Sequence, residues 1–428
     1  MGAVLGRREF AVIAVRRACL AVVVLAVVAT ACSPSGEAPT SSATPTSTVT
    51  STTTQSPTST ATIPSTTTSE APIVLITVSG VDDAGLADAL EGGLSTIRDP
   101  RVEGAVSEAV VESQSGAALA DSYAVVASVA ELADGNRVAV ATLDSGDTVL
   151  LAEEGSGWQI VGTNLSSVGA GPFYGESPRR VLVLGSDARP GGDPDVHRMD
   201  SIHILTSVPS EHSGSILGYP RDSWIESRHG SMRINALTSS GRGPDALFTF
   251  FTETWEVPLE GYILTGFAGF EDLVGAALGR VELSIPIPIP TQEWFDGFSK
   301  GEQRLNPTRL LDFARTRKLI PGGDFTRSYH QGIVMLAALT MIQEKSIDDL
   351  PGLLAILTRY TTTNLTATDL IQLGAAAMEM DVSSITNEVL PGSLGRAGGG
   401  ASVVFLDPGF ETIVEDVTDD GLRNDSNS

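Results

Sequence analysis

The chain has 428 residues and a formal charge of −25, from 52 acidic against 27 basic side chains. So acidic a surface excludes a nucleic-acid partner, because holding a phosphate backbone takes a net positive face. The length implies two or three domains rather than one.

Residues 1–31 read as a lipoprotein-type signal peptide. Arg7-Arg8 and Arg16-Arg17 precede an apolar run from Ala18 to Ala31, shorter than the roughly 20 apolar residues of a comfortable membrane span. Ala29-Thr30-Ala31-Cys32 resembles a bacterial lipobox, which would place a lipid on Cys32 and tie the chain to the membrane; an uncleaved signal anchor is the alternative. Cys19 lies within the signal, so no internal disulfide, thiolate metal cage or cysteine nucleophile is expected further along. Residues 32–72 form a Ser/Thr/Pro-rich linker too poor in apolar side chains to fold, and are expected to be disordered.

Residues 73–170 predict a small α+β domain. Ile73–Val78 reads as a strand and Asp83–Ile97 as a helix. Arg137–Leu143, Thr148–Ala152 and Trp158–Thr163 read as a meander joined at Gly-containing turns. This plan resembles that of NTF2-like domains and carries no chemical constellation, so its role is spacing or partner contact. From Arg179 onward, Val181–Leu184, Ile202–Leu205 and Ser215–Gly218 are short apolar runs that suit central strands. Helical patterns follow over Pro244–Trp255, Phe267–Leu278, Pro307–Arg317 and Thr326–Glu344. The alternation predicts an α/β domain with helices on both faces of a sheet, over 179–345 and continuing through 346–418. Residues 419–428 read as a disordered tail.

Five short pieces carry the chemistry: Gly185-Ser186-Asp187-Ala188-Arg189, Arg198-Met199-Asp200-Ser201, Pro220-Arg221-Asp222-Ser223, Arg315-Thr316-Arg317 and Asp324-Phe325-Thr326-Arg327. Carboxylates suit a hard divalent cation and guanidinium groups suit phosphate oxygens. Asp187 and Asp200 are candidate ligands for Mg²⁺ (or Mn²⁺). Arg198, Arg221, Arg315 and Arg317 are candidate phosphate clamps. Taken singly, such an aspartate is a turn residue or helix cap and such an arginine a surface ion pair; the pattern carries the metal and phosphate reading. Arg315 and Arg317 would diverge by about 160–200° on a helix, so the chain must leave the helix near Arg315 if both face one ligand. Asp324 is either the N-cap of the next helix or part of the site. Apolar helix positions including Leu264, Phe267, Phe270, Leu273, Val274, Val334, Leu336 and Leu339 are core, with a subset open to lining a channel for a lipid tail. There is no Gly-x-Ser-x-Gly and no serine with a credible base.

In order and spacing these pieces resemble the LytR-CpsA-Psr (LCP) family of bacterial cell-envelope proteins. Val181–Arg189, Arg198–Ser201 and Gly218–Ser223 match its first motifs, and Arg233-Ile234-Asn235-Ala236 a fourth. Gly301–Asn306 with Leu311–Arg317, Asp324–Arg327 with Gln331, Leu390–Gly392 and Val403–Pro408 complete the likeness, from about 179 to 415. The resemblance implies a three-layer α/β/α fold and a Mg²⁺-dependent phosphotransferase of cell-wall biogenesis. Its donor would be a polyprenyl-pyrophosphate-linked glycan and its acceptor peptidoglycan, at the extracytoplasmic face of the membrane. It places Asp187 and Asp200 at the metal, Arg198, Arg221 and Asp222 at the reaction, and Arg189, Arg315, Arg317, Arg327 and Gln331 on the substrate. His330 and Gly332 stand where the family usually has Arg and Gln, Pro307 replaces a glycine, and Arg280 another. Two alternatives remain open: a non-catalytic lipoprotein that binds polyprenyl-linked glycans or scaffolds wall enzymes, and a polyprenyl pyrophosphatase.

Overall fold

The structure is a computed structural model that describes residues 73–155, 157–189 and 191–422. The signal, Cys32, the linker and residues 423–428 lie outside the described residues. The first part comprises β1 (Thr77–Ser79), α1 (Ala84–Arg98), α2 (Glu108–Gln114), β2 (Ser122–Glu131), β3 (Arg137–Leu143), β4 (Thr148–Glu153), β5 (Trp158–Leu165) and β6 (Ala170–Phe173). These strands make an open six-stranded sheet in chain order, with β1 parallel to β2 and the rest antiparallel. Asp83 starts α1 by accepting the Leu86 N–H at 3.0 Å, as an N-cap carboxylate does. Strand β3 is apolar from Val138 to Ala141 because both of its faces are covered there. Ala139 and Ala141 meet α1 and its neighbours, while Val138 and Val140 face the other way.

The second part runs through β7 (Arg179–Ser186), β8 (Met199–Val208), β9 (Ser213–Gly218), β10 (Trp224–Ser227), β11 (Gly230–Arg233), α3 (Asp245–Glu253), β12 (Gly261–Thr265) and α4 (Phe267–Ala277). It continues with β13 (Val281–Ile285), β14 (Gly301–Leu305), α5 (Pro307–Arg315), α6 (Asp324–Gln343), α7 (Leu350–Tyr360), β15 (Thr362–Thr363) and α8 (Ala367–Glu379). It closes with β16 (Ile385–Val389), β17 (Gly392–Arg396), β18 (Ser402–Leu406) and α9 (Phe410–Asp419). Its main sheet has the order β15-β12-β7-β8-β9-β16 and is open and mixed. β8 runs antiparallel to both β7 and β9, while β12 runs parallel to β7 and β16 parallel to β9. The three apolar runs read from the sequence are therefore the three central strands.

Helices cover both faces of this sheet. Leu182, Leu184, Ile202 and Ile204 pack with Leu247, Phe250 and Phe251 of α3. Val181, Val183 and Ile216 pack against Met335 of α6 and the buried leucines of α7 and α8. The same cluster takes in Val138, Val140, Leu150 and Val161 of the first sheet, so α7 and α8 are a layer shared by the two sheets. Polar contacts pin that layer, among them Tyr174 to Glu379 at 2.6 Å and Thr142 to Asp348 at 2.6 Å. Asp419 closes α9 rather than opening a tail, and the Arg180 guanidinium holds the carbonyls of Val417 and Thr418 at 3.1 and 2.6 Å. Among the described residues no helix is long and apolar enough to cross a membrane.

Candidate active site

Because β7, β8 and β9 alternate in direction, the end of β7, the start of β8 and the end of β9 meet at one rim. Asp187 follows β7; its N–H donates to the Arg198 carbonyl at 2.9 Å, and its carboxylate accepts the Arg198 N–H at 3.3 Å. Asp200 is the extra residue of a β-bulge: Gly185 pairs with Ser201 and Ser186 with Met199, which leaves Asp200 without an opposite number. A bulge re-aims side chains. Met199, Ile202 and Ile204 all join the α3 side, whereas Ser201 and His203 face α6, with His203 3.1 Å from the Ser328 carbonyl. Asp200 is thereby turned to the α6 side as well, where Arg327 lies. Arg221 sits in a turn closed by the Ser223 N–H on the Pro220 carbonyl at 2.9 Å, and its own carbonyl accepts the Asn235 N–H at 3.2 Å. The Arg233–Ala236 element thus supports the arginine turn from behind.

The groups converge on Asp200. The Arg221 guanidinium donates to its carboxylate, and that of Arg327 lies 3.7 Å away while also donating to the Asp200 carbonyl at 3.2 Å. Asp324 joins Arg327 at 3.0 Å, Arg317 at 3.6 Å and Arg221 at 3.8 Å. The N-cap of α6 is Gly323, and no side chain caps it. Asp324 is the first helical residue and a hub for three guanidiniums, so its reading as a cap does not hold. Helix α5 ends at Arg315, and Thr316 is extended at φ −69° and ψ 124°. That exit brings Arg315 and Arg317 to one cleft of about 710 Å³, together with Asp200, Arg327 and Lys318. Arg315 lies over the Phe267 ring at 4.3 Å.

Other predicted residues are placed differently. Gln331 is buried and donates to the Ala314 carbonyl at 3.3 Å, so it fixes the end of α5 and does not face the cleft. Asp222 lies between Arg221 at 3.7 Å and Arg233 at 3.5 Å, on the outer side of the rim. Arg189 and Arg198 are exposed; among the described residues they and Arg315 have no ion-pair partner. His330 is fully buried, stacked on Phe313 with ring centroids 4.5 Å apart, and makes no hydrogen bond. Burial holds it down at about 4, so it is neutral and no phosphate ligand.

A neutral buried histidine has a consequence for stability. Its imidazole takes a proton near pH 4 in the fold but near 6.5 when unfolded, so the stabilisation is present above pH 6.5 and is lost as pH falls toward 4. His203, also held at about 4 by burial, adds to the same slope. His330→Phe keeps the stack and is expected to remove about half of that acid sensitivity, read from urea unfolding at pH 7.5 and pH 5.

Two carboxylates could hold a divalent cation. Burial pushes Asp200 up to about 7, against the pull of Arg221 and Arg327, and the Asp187 charge adds to the rise. The two carboxylates therefore repel one another in a dry place, a tension that a shared cation relieves. Among the described residues no group of three or more His, Cys, Asp or Glu side chains forms a cage. The donor set suits Mg²⁺, which takes one or two carboxylates and completes its shell with water and phosphate oxygens.

A second cavity, of about 130 Å³, lies under the sheet between β7, β8, β9 and helices α6, α7 and α8. It is lined almost wholly by apolar side chains, including Val181, Ile216, Met335, Leu354, Leu370 and Ala377. Of the helix positions named as candidates for an apolar channel only Leu339 lines it; the others are core or flank it. Helix α6 carries Arg327 at the cleft and Met335 at this cavity, eight residues or about 12 Å apart along its axis.

An open α/β sheet with helices on both faces, presenting arginines around paired carboxylates at one rim, defines a class of anion-binding proteins. The chain matches the sequence model of the LytR_cpsA_psr family over residues 164–413, and it belongs to that family. It is 33% identical over 208 residues to the polyisoprenyl-teichoic acid–peptidoglycan teichoic acid transferase TagU of Bacillus cereus (strain AH820), covering 47% of this chain and 65% of that protein. It is 28% identical over 224 residues to the regulatory protein MsrR of Staphylococcus aureus (strain COL), covering 50% of this chain and 66% of that protein. The chain thus spans about two thirds of the length of these curated relatives. The crystal structure of B. subtilis TagV shares the fold, with a TM-score of 0.50 and 23% identity over 58% of this chain and 98% of that one.

Proposed function

We propose that this protein is an extracytoplasmic phosphotransferase that moves a glycopolymer from a polyprenyl-pyrophosphate carrier to peptidoglycan, leaving a phosphodiester. The observation that carries the reading is the Asp200 carboxylate, held between Arg221 and Arg327 at a cleft walled by Arg315 and Arg317. Asp187 and Asp200 would hold Mg²⁺ (or Mn²⁺), which supplies Lewis-acid polarisation of a phosphoryl oxygen when bound. Arg315 and Arg317 from the wall, with Arg327 below, neutralise the pyrophosphate. Arg189 and Arg198, without carboxylate partners among the described residues, add to that field from the rim. A peptidoglycan hydroxyl attacks the sugar-side phosphorus, the bridging P–O bond breaks, and polyprenyl phosphate leaves. The guanidiniums stabilise the charge that grows on the leaving oxygen, where preorganised cations act most strongly. Asp222 is the most open of the paired rim carboxylates, at 24% side-chain exposure against 12% for Asp324 and 2% for Asp200. A carboxylate of this rim, Asp222 or one that holds the metal, takes the hydroxyl proton.

In this reading the apolar cavity takes isoprenyl units of the carrier, and the first sheet, β1 to β6, braces α7 and α8 beside it. Ala377→Phe, which fills the cavity from α8, is expected to weaken binding of a long polyprenyl pyrophosphate about tenfold and leave inorganic pyrophosphate binding unchanged, by calorimetry. Export and the lipid on Cys32 complete the reading and concern residues outside those described.

The direct test supplies a polyprenyl-pyrophosphate-linked glycan, peptidoglycan and Mg²⁺, and measures glycan incorporated. Incorporation that chelation stops is the expected result. Release of phosphate with no incorporation selects the pyrophosphatase. Binding with no turnover selects the scaffold, a reading favoured by His330 being neutral and buried at a position where the family resemblance implies an arginine.

A further inference from the structure

We propose that Trp294 is a stacking platform for a pyranose ring beside the phosphate cleft, an inference that rests on the pyrophosphate reading of that cleft. Trp294 is 73% exposed, and an exposed indole beside a charged cleft is not explained by packing. Glu293 and Trp294 are the two residues of a tight turn. Gln292 and Phe295 close it with mutual backbone hydrogen bonds of 2.7 and 3.1 Å, and Ile289 and Phe298 form a second bridge below it at 2.8 Å. The stem is stiffened by a ladder of rings, from Trp294 to Phe295 at 5.8 Å, to Phe298 at 5.7 Å and to Phe313 at 5.6 Å. Arg309 of α5 lies 3.9 Å over Phe298 and donates to the Gly297 carbonyl. The indole is therefore held out on a rigid support, and little ordering entropy is lost when a ligand covers it.

The chemistry of the two walls tells the ligand's halves apart. Arg315, Arg317 and Lys318 line the cleft from the end of α5, and Glu293, Trp294, Phe295 and Asp296 line it from the turn, with Arg309 and Asp312 also in the lining. A phosphate is drawn to the first group and repelled by the carboxylates of the second. A pyranose ring fits the second, with a C–H face for the indole and hydroxyl donors for Glu293 and Asp296. Those carboxylates also oppose an anionic membrane surface, the usual alternative for an exposed tryptophan. The ring comes either from the glycan joined to the pyrophosphate or from the peptidoglycan acceptor.

The experiment compares wild type, Trp294→Ala and Trp294→Phe. Binding is measured by calorimetry with farnesyl pyrophosphate and with farnesyl-pyrophosphate-linked N-acetylglucosamine, and the KM for a peptidoglycan disaccharide in the transfer assay. The expected result is a roughly three- to tenfold loss in Trp294→Ala on one sugar-bearing ligand, largely restored in Trp294→Phe, with farnesyl pyrophosphate bound as in wild type. Loss on the sugar-bearing donor assigns a donor ring; a raised KM for the disaccharide alone assigns an acceptor ring. Unchanged values on both overturn the platform while leaving the pyrophosphate reading intact. Loss of wild-type binding to phosphatidylglycerol vesicles, with sugar binding unchanged, overturns it in favour of a membrane contact. A wild type that binds no farnesyl pyrophosphate removes the cleft reading and the platform with it.

Discussion

An Asp200→Asn chain is expected to fold as well as the parent, bind Mg²⁺ poorly and transfer no measurable glycan. Asparagine keeps the shape of the side chain and removes its charge. The Arg221 guanidinium loses the anion it donates to, and Arg327, itself buried, keeps only Asp324 as an ionic partner. A divalent cation would then rest on Asp187 alone. The loss of rate should reach roughly 10³-fold or more, because preorganised charge at the breaking bond is worth several kcal/mol. Stability should change little. Burial already pushes the carboxyl up to about 7, and the relief that a neutral isostere brings at pH 8 offsets the anion that Arg221 and the buried Arg327 lose, so the melting temperature stays near the parent's. Activity within tenfold of wild type at saturating Mg²⁺ would sink the metal role of Asp200. Inactivity with a collapsed melting temperature would show that the charge serves the fold instead.

The division between what sequence and structure each reveal follows the reach of the forces involved. Apolar runs such as Val181–Leu184 announced the central strands because a strand covered on both faces must be apolar. The helical patterns read from Asp83 and Pro307 begin where the structure places capping side chains, Asp83 for α1 and Asn306 for α5, the latter taking the Arg309 N–H at 2.8 Å. Helical geometry set a condition, that the chain leave the helix near Arg315 if both arginines face one ligand; the helix read as far as Arg317 in fact ends at Arg315, and Thr316 makes the exit. The bulge that turns Asp200 was not legible, since one unpaired residue between β7 and β8 leaves no mark on composition. Asp324 was ambiguous for a related reason: a carboxylate at a helix start fits a cap or a cluster, and Arg317, Arg221 and Arg327 decide which. Gly332 shows the same limit. A side chain there would meet the Asn387 amide from β16, with Oδ1 2.0 Å from an ideal Cβ. The family resemblance implies a glutamine at this position; in this chain the Asn387 amide from the neighbouring strand takes up that space and donates to the Tyr329 carbonyl at 3.0 Å. Only contact across the fold exposes that exchange. Trp294 fell between predicted elements, and nothing local tells an exposed indole on a tight turn from a core one.

Arg221→Ala should abolish transfer too, by a route that Arg221→Lys can isolate. Arg221 reaches Asp200 directly, while its Nε lies 3.7 Å from Asp222 and 3.8 Å from Asp324. One planar fork thus stands among three carboxylates and offsets part of their charge. Alanine removes the cation and leaves Asp200, 3% exposed, facing Arg327 alone. Breaking a buried pair from one side costs about 3 kcal/mol, so Arg221→Ala should lose stability as well as activity. Lysine restores the charge as a point and not as a fork. It should recover most of the stability, measured by urea unfolding, yet still transfer roughly 10²-fold more slowly, because an ammonium cannot address Asp200 and its neighbours at once. Arg221 then acts through geometry, which the split between the two readouts reports. If lysine restored both together, the residue would be only a counter-charge for Asp200, and pyrophosphate recognition would fall to Arg315, Arg317 and Arg327.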